Sequence, residues 1–182
     1  MRFRETPLAG CYVIEQDRIQ DHRGFFARVW CKRELEQHGL QVDLVQANTG
    51  FSLHKGTLRG LHYQRAPHAE VKIVRCTRGA MFDVAVDLRP NSPTYRRWFG
   101  IELTEGNGTM LYVPEGFAQG YLTLVDNTEM TYQTSKFFDR ESATGVRYND
   151  PAIGIEWPAE VRVISEQDTK WPDCGRLETN VA

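Results

Sequence analysis

Phe82, Val84, Val86 and Leu88 alternate with Asp83, Ala85 and Asp87. Apolar residues at every second position put opposite chemistry on the two faces of a strand, so this segment predicts a half-buried β-strand. Arg89-Pro90-Asn91-Ser92-Pro93 closes it with turn-forming residues. The same alternation of strand and turn continues along the chain. Thr104-Glu105-Gly106-Asn107-Gly108 is a turn leading into the apolar stretch Met110 to Val113, and Thr77-Arg78-Gly79 joins Val71–Cys76 to Met81–Leu88. Asp126-Asn127 separates Gly120–Val125 from Thr128–Ser135, a pattern that predicts a hairpin. One helix is predicted, over Lys32 to His38, with Gly39 as its C-terminal stop. The stretch from Pro158 to Ala182 shows no clear period. Many short strands and few helices predict an all-β sandwich or barrel, and periodicity does not choose between a jelly roll and another all-β form.

With 182 residues, no internal repeat and no low-complexity linker, the chain fits a single domain over residues 1–182 with a sizeable core. Its net charge is −2, with basic residues dispersed, so nothing suggests a general affinity for nucleic acid or an acidic membrane. Met1-Arg2-Phe3-Arg4-Glu5 lacks the apolar stretch of a secretory signal, and no apolar run approaches membrane-spanning length. Cys11, Cys31, Cys76 and Cys174 are scattered without a C-x-x-C pair. That spacing argues against disulfides or a zinc cluster and for free thiols in a reducing cytoplasm.

Residue spacing narrows the fold. Gly56 is followed after five residues by His62, and Lys72 after six by Gly79. Gly108 is followed after five by Pro114-Glu115-Gly116, and after two more by Gln119. These spacings resemble the two motifs of the cupin superfamily, whose fold is a jelly-roll barrel. In metal cupins the motifs supply two histidines, a glutamate and a third histidine as ligands. Only the first histidine is present here. Gln64, Lys72 and Gln119 occupy the other three positions. A cation site needs several converging imidazoles or carboxylates, and an ammonium among them repels a divalent ion. The barrel is therefore expected to bind no metal.

A more specific likeness lies in Gly56-Thr57-Leu58-Arg59-Gly60-Leu61-His62-Tyr63-Gln64. It is joined by Asp21-His22-Arg23-Gly24-Phe25-Phe26, Gln46-Ala47-Asn48, Val71-Lys72-Ile73-Val74-Arg75 and Asp83 to Arg89. Val113-Pro114-Glu115-Gly116-Phe117-Ala118, Asn149-Asp150-Pro151, Ile155-Glu156-Trp157-Pro158 and Ser165-Glu166-Gln167-Asp168 follow in order. From about Arg4 to Asp168 the chain resembles the dTDP-4-dehydrorhamnose 3,5-epimerase family. The resemblance implies a homodimer of cupin barrels with a few short helices. The implied substrate is a dTDP-4-keto-6-deoxyhexose, epimerised at C3 and C5 without a cofactor. It puts a general base at His62, an orienting carboxylate at Asp168, a general acid at Tyr132 and a lysine near the ketone at Lys72. Nucleotide and phosphate contacts fall on Arg23, Gln46, Asn48 and Arg59, and an aromatic against the thymine on Phe138. Phe26, Arg28, Gln119 and Glu141 complete the implied binding residues. Two positions depart from the commonest family pattern. Gln119 stands where a pocket histidine is usual, and Arg28 where many members have glutamate.

The residue types suit the chemistry. Epimerisation beside a ketone removes a carbon-bound proton and leaves an enolate. An imidazole is a suitable base near neutral pH, and a carboxylate on its far nitrogen fixes the tautomer. A preorganised cation beside the enolate oxygen stabilises the developing charge. Inversion needs a second acid on the opposite face, which a tyrosine hydroxyl supplies. Without the family likeness, His62 reads as a structural histidine, Tyr132 as a core or rim aromatic, Lys72 as a solvated strand residue, Asp168 as a loop or cap residue, and Phe26 and Phe138 as core. His22, His38, His54 and His68 read as surface residues. Strict alternation puts Arg59 and His62 on opposite faces of their strand. Either Gly60 marks a bulge that re-aims one of them, or Arg59 serves a neighbouring subunit. A single-centre epimerase or ketoisomerase, and a non-catalytic sugar-binding cupin, are the alternative readings.

Overall fold

The computed structural model describes residues 1–40 and 43–176. Its strands are β1 (Arg2–Glu5), β2 (Tyr12–Glu15), β3 (Arg18–Asp21), β4 (Gly24–Ala27), β5 (Gln46–Ser52), β6 (Thr57–Gln64) and β7 (Lys72–Arg78). They continue with β8 (Ala80–Asp87), β9 (Trp98–Thr104), β10 (Met110–Val113), β11 (Phe117–Thr123), β12 (Thr128–Thr134), β13 (Ala143–Gly145) and β14 (Val163–Ile164). Helix α1 spans Lys32–Gln37 and α2 spans Glu166–Thr169.

One sheet has the order β1-β2-β10-β7-β12-β5, the other β13-β6-β11-β8-β9, with β14 parallel to β6. From β5 to β8, and again from β9 to β12, each strand lies in the opposite sheet from the one before it. That alternation makes the architecture an all-β, cupin-type jelly roll. It also corrects the predicted hairpin at Asp126-Asn127. There β11 pairs with β6 and β8, whereas β12 pairs with β5 and β7. Turn residues mark where the chain reverses, but not whether it stays in the same sheet.

Three apolar layers hold the fold. Val13, Val74, Met81, Ala85, Leu111, Phe117, Tyr121 and Met130 fill the space between the sheets. Leu61, Val84, Val86 and Ala118 face outward, under Val146, Ile153 and the partly buried Trp157. Each fully buried aliphatic chain contributes about 1.5–3 kcal/mol of transfer free energy. The half-buried strand expected over 82–88 is thus covered on both sides over its length in β8. Its polar residues point inward, and Asp83 and Asp87 are fully buried. Asp87 is compensated by Arg89, Ser92 and Thr94, which donate to its carboxylate.

The third layer packs Leu35 of α1 and Leu40 on Val71, Ile73 and Tyr112. A six-residue helix is marginal alone, and Leu35 ties it to the sheet. The helix ends one residue before the expected His38. Gly39, at φ +68°, donates its backbone N–H to the Glu36 carbonyl at 3.0 Å. Among the described residues no helix is long and apolar enough to cross a membrane, and all four cysteines are unpaired.

Candidate active site

A cavity of about 340 Å³ opens between the sheets, lined among others by Arg59, His62, Glu70, Lys72, Gln119, Tyr132, Phe138 and Trp171. His62 comes from β6 and Gln119 from β11 in one sheet; Lys72 and Tyr132 come from β7 and β12 in the other.

The bulge at Gly60 explains how β6 presents both its site residues. Gln119 pairs with His62, and Tyr121 with Arg59. Over that interval β11 advances two residues while β6 advances three. The extra residue resets the alternation, so Arg59 and His62 line one cavity. Gly60 has φ +128°, and a Cβ there would stand 2.6 Å from the Gly120 Cα. Gly60→Ala is therefore expected to destabilise the protein by roughly 2–5 kcal/mol, from backbone strain plus overpacking. Denaturant unfolding measures this, and a loss under about 1 kcal/mol would contradict it.

Asp168 sits on the single turn α2 and is 4% exposed. Ser165 caps that turn by accepting the Asp168 N–H at 3.1 Å. Asp168 Oδ1 lies 2.6 Å from His62 Nε2 and accepts the Trp171 indole N–H at 3.1 Å. Its Oδ2 accepts the Gly60 N–H at 3.3 Å. Burial pushes this carboxyl's pKa up, but the hydrogen bonds and charge of His62, with Trp171 and Gly60, outweigh burial and hold it below the ordinary range. The carboxylate therefore stays ionised at neutral pH. With Nε2 on Asp168, Nδ1 is the imidazole nitrogen left for a substrate.

Lys72 is buried, not solvated. Its ammonium donates to the His62 carbonyl at 3.2 Å and pairs with Glu70 at 3.3 Å. Burial raises the pKa of Glu70, and Lys72 partly offsets that. Burial also raises the Tyr132 pKa, with Glu70 and Tyr121 adding to the effect, so the phenol keeps its proton at neutral pH. Gln119 donates its amide to Asp83 at 2.5 Å.

Gln46 and Asn48 stand on β5, joined to each other at 2.9 Å. Gln46 also accepts the Phe138 N–H at 3.2 Å, at the cavity edge. Phe138 and Phe26 are 66% and 71% exposed, so neither belongs to the core. Arg23 and Phe26 lie on the exposed β3–β4 hairpin and Arg28 just beyond it, all outside this cavity. Arg23 pairs with Asp21 and Arg28 with Glu34. Glu141 is exposed on a separate shallow pocket beside Arg65. His22, His38, His54 and His68 are all exposed. Among the described residues no group of three His, Cys, Asp or Glu side chains converges to hold a metal ion.

Three residues here were not singled out from the sequence for this site: Glu70, Trp171 and Asp83. Glu70 precedes Lys72 by two, and Trp171 follows Asp168 by three, spacings that bring side chains together on a strand and around a helical turn. Asp83 was read as the polar half of an alternating strand and as part of a family motif, with no role assigned to it.

The model of one family, described as dTDP-4-dehydrorhamnose 3,5-epimerase, matches residues 5–175. The dTDP-4-dehydrorhamnose 3,5-epimerase of Sinorhizobium fredii is 43% identical over 178 residues, covering 97% of this chain and 91% of that one. The crystal structure of the enzyme of that name from Elizabethkingia anophelis superposes with a TM-score of 0.92 at 38% identity, covering 95% and 96% of the two chains. That of the dTDP-6-deoxy-D-glucose-3,5-epimerase from Legionella pneumophila, in complex with dTDP-4-keto-L-rhamnose, gives 0.90 at 33% identity, covering 96% and 93%. With its fold and nearly its whole length in common with these proteins, the chain belongs to the dTDP-4-dehydrorhamnose 3,5-epimerase family.

Proposed function

We propose that the protein is a cofactor-independent epimerase that inverts C3 and C5 of dTDP-4-keto-6-deoxyglucose, giving dTDP-4-dehydrorhamnose. The observation that carries this reading is the placement of His62 and Tyr132 on opposite sheets, facing one cavity. A sugar between them meets a base on one face and a protonated phenol on the other. His62 Nδ1 takes the proton from the carbon beside the ketone, and the electron pair moves into the enolate. Asp168 holds the imidazole and balances its charge as it becomes imidazolium. Lys72 faces the enolate oxygen. Tyr132 then delivers its proton to the opposite face of the same carbon. His62 then releases its proton and Tyr132 regains one, by exchange with solvent, and repeating the cycle at the second carbon completes the reaction. Every step is a proton transfer, so no metal or redox cofactor is required.

The substrate's nucleotide end needs more than one chain offers. Arg59, Gln46, Asn48 and Phe138 lie at or beside the cavity, whereas Arg23, Phe26 and Arg28 do not. Ile19, Phe25 and Phe26 on the β3–β4 hairpin are 71%, 53% and 71% exposed, an apolar surface suited to burial against another subunit. The chain works as one domain in a homodimer whose hairpins complete each other's sites, and it acts in the cytoplasm. Sedimentation equilibrium should return twice the chain mass; a monomer at micromolar concentration would exclude the shared site. For the reaction, dTDP-4-keto-6-deoxyglucose is incubated with the protein and the product configuration read by NMR. Inversion at C3 and C5 is expected. Unchanged sugar would overturn the epimerase reading, and inversion at one centre would support the single-centre alternative.

A further inference from the structure

Asp83 is fully buried behind Gln119. Its Oδ1 accepts the Gln119 amide at 2.5 Å. Its Oδ2 is buried with no hydrogen-bond partner among the described residues. Once ionised, this carboxyl can only accept, so it claims the donor end of the glutamine amide. The Gln119 oxygen makes no hydrogen bond to the described residues, and Gln119 lines the cavity beside His62, its cross-strand neighbour in the same sheet. A glutamine free to turn would offer either a donor or an acceptor to a ligand.

We propose that Asp83 is a positioning residue that fixes the Gln119 amide with its oxygen toward the cavity, so that Gln119 accepts a hydrogen bond from a sugar hydroxyl. The identity of the ligand rests on the epimerase reading; the orientation of the amide does not. Burial pushes the Asp83 carboxyl up to about 7, against the hydrogen bond from Gln119 and the charge of Lys72. Of the titratable groups around it, Lys72 from β7 acts on it, whereas Tyr121 beside it on β11 and Cys11 from the segment before β2 feel its charge. The Cys11 thiol is itself pushed up to about 12 and the Tyr121 phenol is raised, both mainly by burial, so Lys72 is the charged neighbour near neutral pH. The bond to Gln119 therefore strengthens as pH rises through about 7 and Asp83 ionises.

The test begins on the ligand-free protein. In a proton–nitrogen NMR spectrum, the Gln119 side-chain amide is assigned by its loss in Gln119→Leu. One of its protons should lie far downfield and move further as pH rises through about 7. Asp83→Asn should abolish both features, while His62→Asn should leave them. An ordinary, non-titrating Gln119 amide in wild-type protein would overturn the positioning role without recourse to any variant. Calorimetry with dTDP-glucose and its 2-deoxy and 3-deoxy analogues supplies the second readout. Asp83→Asn should weaken dTDP-glucose by about three- to tenfold, the range of one net hydrogen bond. One of the deoxy analogues should bind wild type and Asp83→Asn equally. If all three ligands weaken by the same factor, Gln119 reads no sugar hydroxyl. If dTDP-glucose binds neither protein, the sugar half of the proposal and the epimerase reading fail together, and the amide titration still decides the role of Asp83.

Discussion

His62→Asn should lower deuterium exchange at both carbons beside the ketone by about 10³-fold, equivalent to ~4 kcal/mol of barrier. Asparagine keeps a polar group at the position and removes the only nitrogen that can take up a proton. Asp168 then loses its partner. Because the Gly60 and Trp171 hydrogen bonds to Asp168 remain, the α2 turn should hold its place. Affinity for dTDP should change by less than about threefold, since no nucleotide contact is assigned to His62; a net hydrogen bond is worth about that factor or more. Exchange near the wild-type rate would remove His62 from the chemistry. Loss of dTDP binding together with exchange would mean that the residue acts on binding or folding instead.

The second large effect is expected at Tyr132. Tyr132→Phe keeps the ring against its neighbours on β12 and deletes the hydroxyl. Exchange through His62 should persist, because abstraction and return on one face do not use the phenol. Inverted product should fall by about 10²–10³-fold, the usual worth of a positioned general acid. The two variants therefore separate. One stops exchange and inversion together, and the other uncouples them. Equal losses of exchange and inversion in Tyr132→Phe would assign this residue to substrate binding.

The strands of the barrel were legible as alternation and turn chemistry, and Gly39 as a helix stop. What the alternation could not carry was direction. Asp83 and Asp87 look like a solvent face because polar groups ordinarily meet water, yet here they point inward and are compensated by amide, guanidinium and hydroxyl donors. The Asp126-Asn127 corner failed as a hairpin for a related reason. A local turn signal is shared by hairpins and sheet-to-sheet crossings, and long-range pairing decides between them. Gly60 was legible as a possible bulge, and the register shift between β6 and β11 supplies its physical reason. Asp168 was legible through the family likeness of Ser165-Glu166-Gln167-Asp168, not through periodicity. It reaches His62 across 106 positions of sequence, from a turn that single-sequence periodicity does not detect. Arg23 and Phe26, which carried a family likeness, and Arg28, which departs from it, lie outside the cavity of their own chain, a placement that sequence has no means to express.

Proton NMR of dTDP-4-keto-6-deoxyglucose with the wild-type protein in deuterated water tests the central claim most directly, because it reports each carbon separately. The opposed base and acid predict loss of the C3 and C5 proton signals, together with the appearance of sugar inverted at both centres. Retention of both signals at substrate and protein concentrations that saturate dTDP binding would contradict the account.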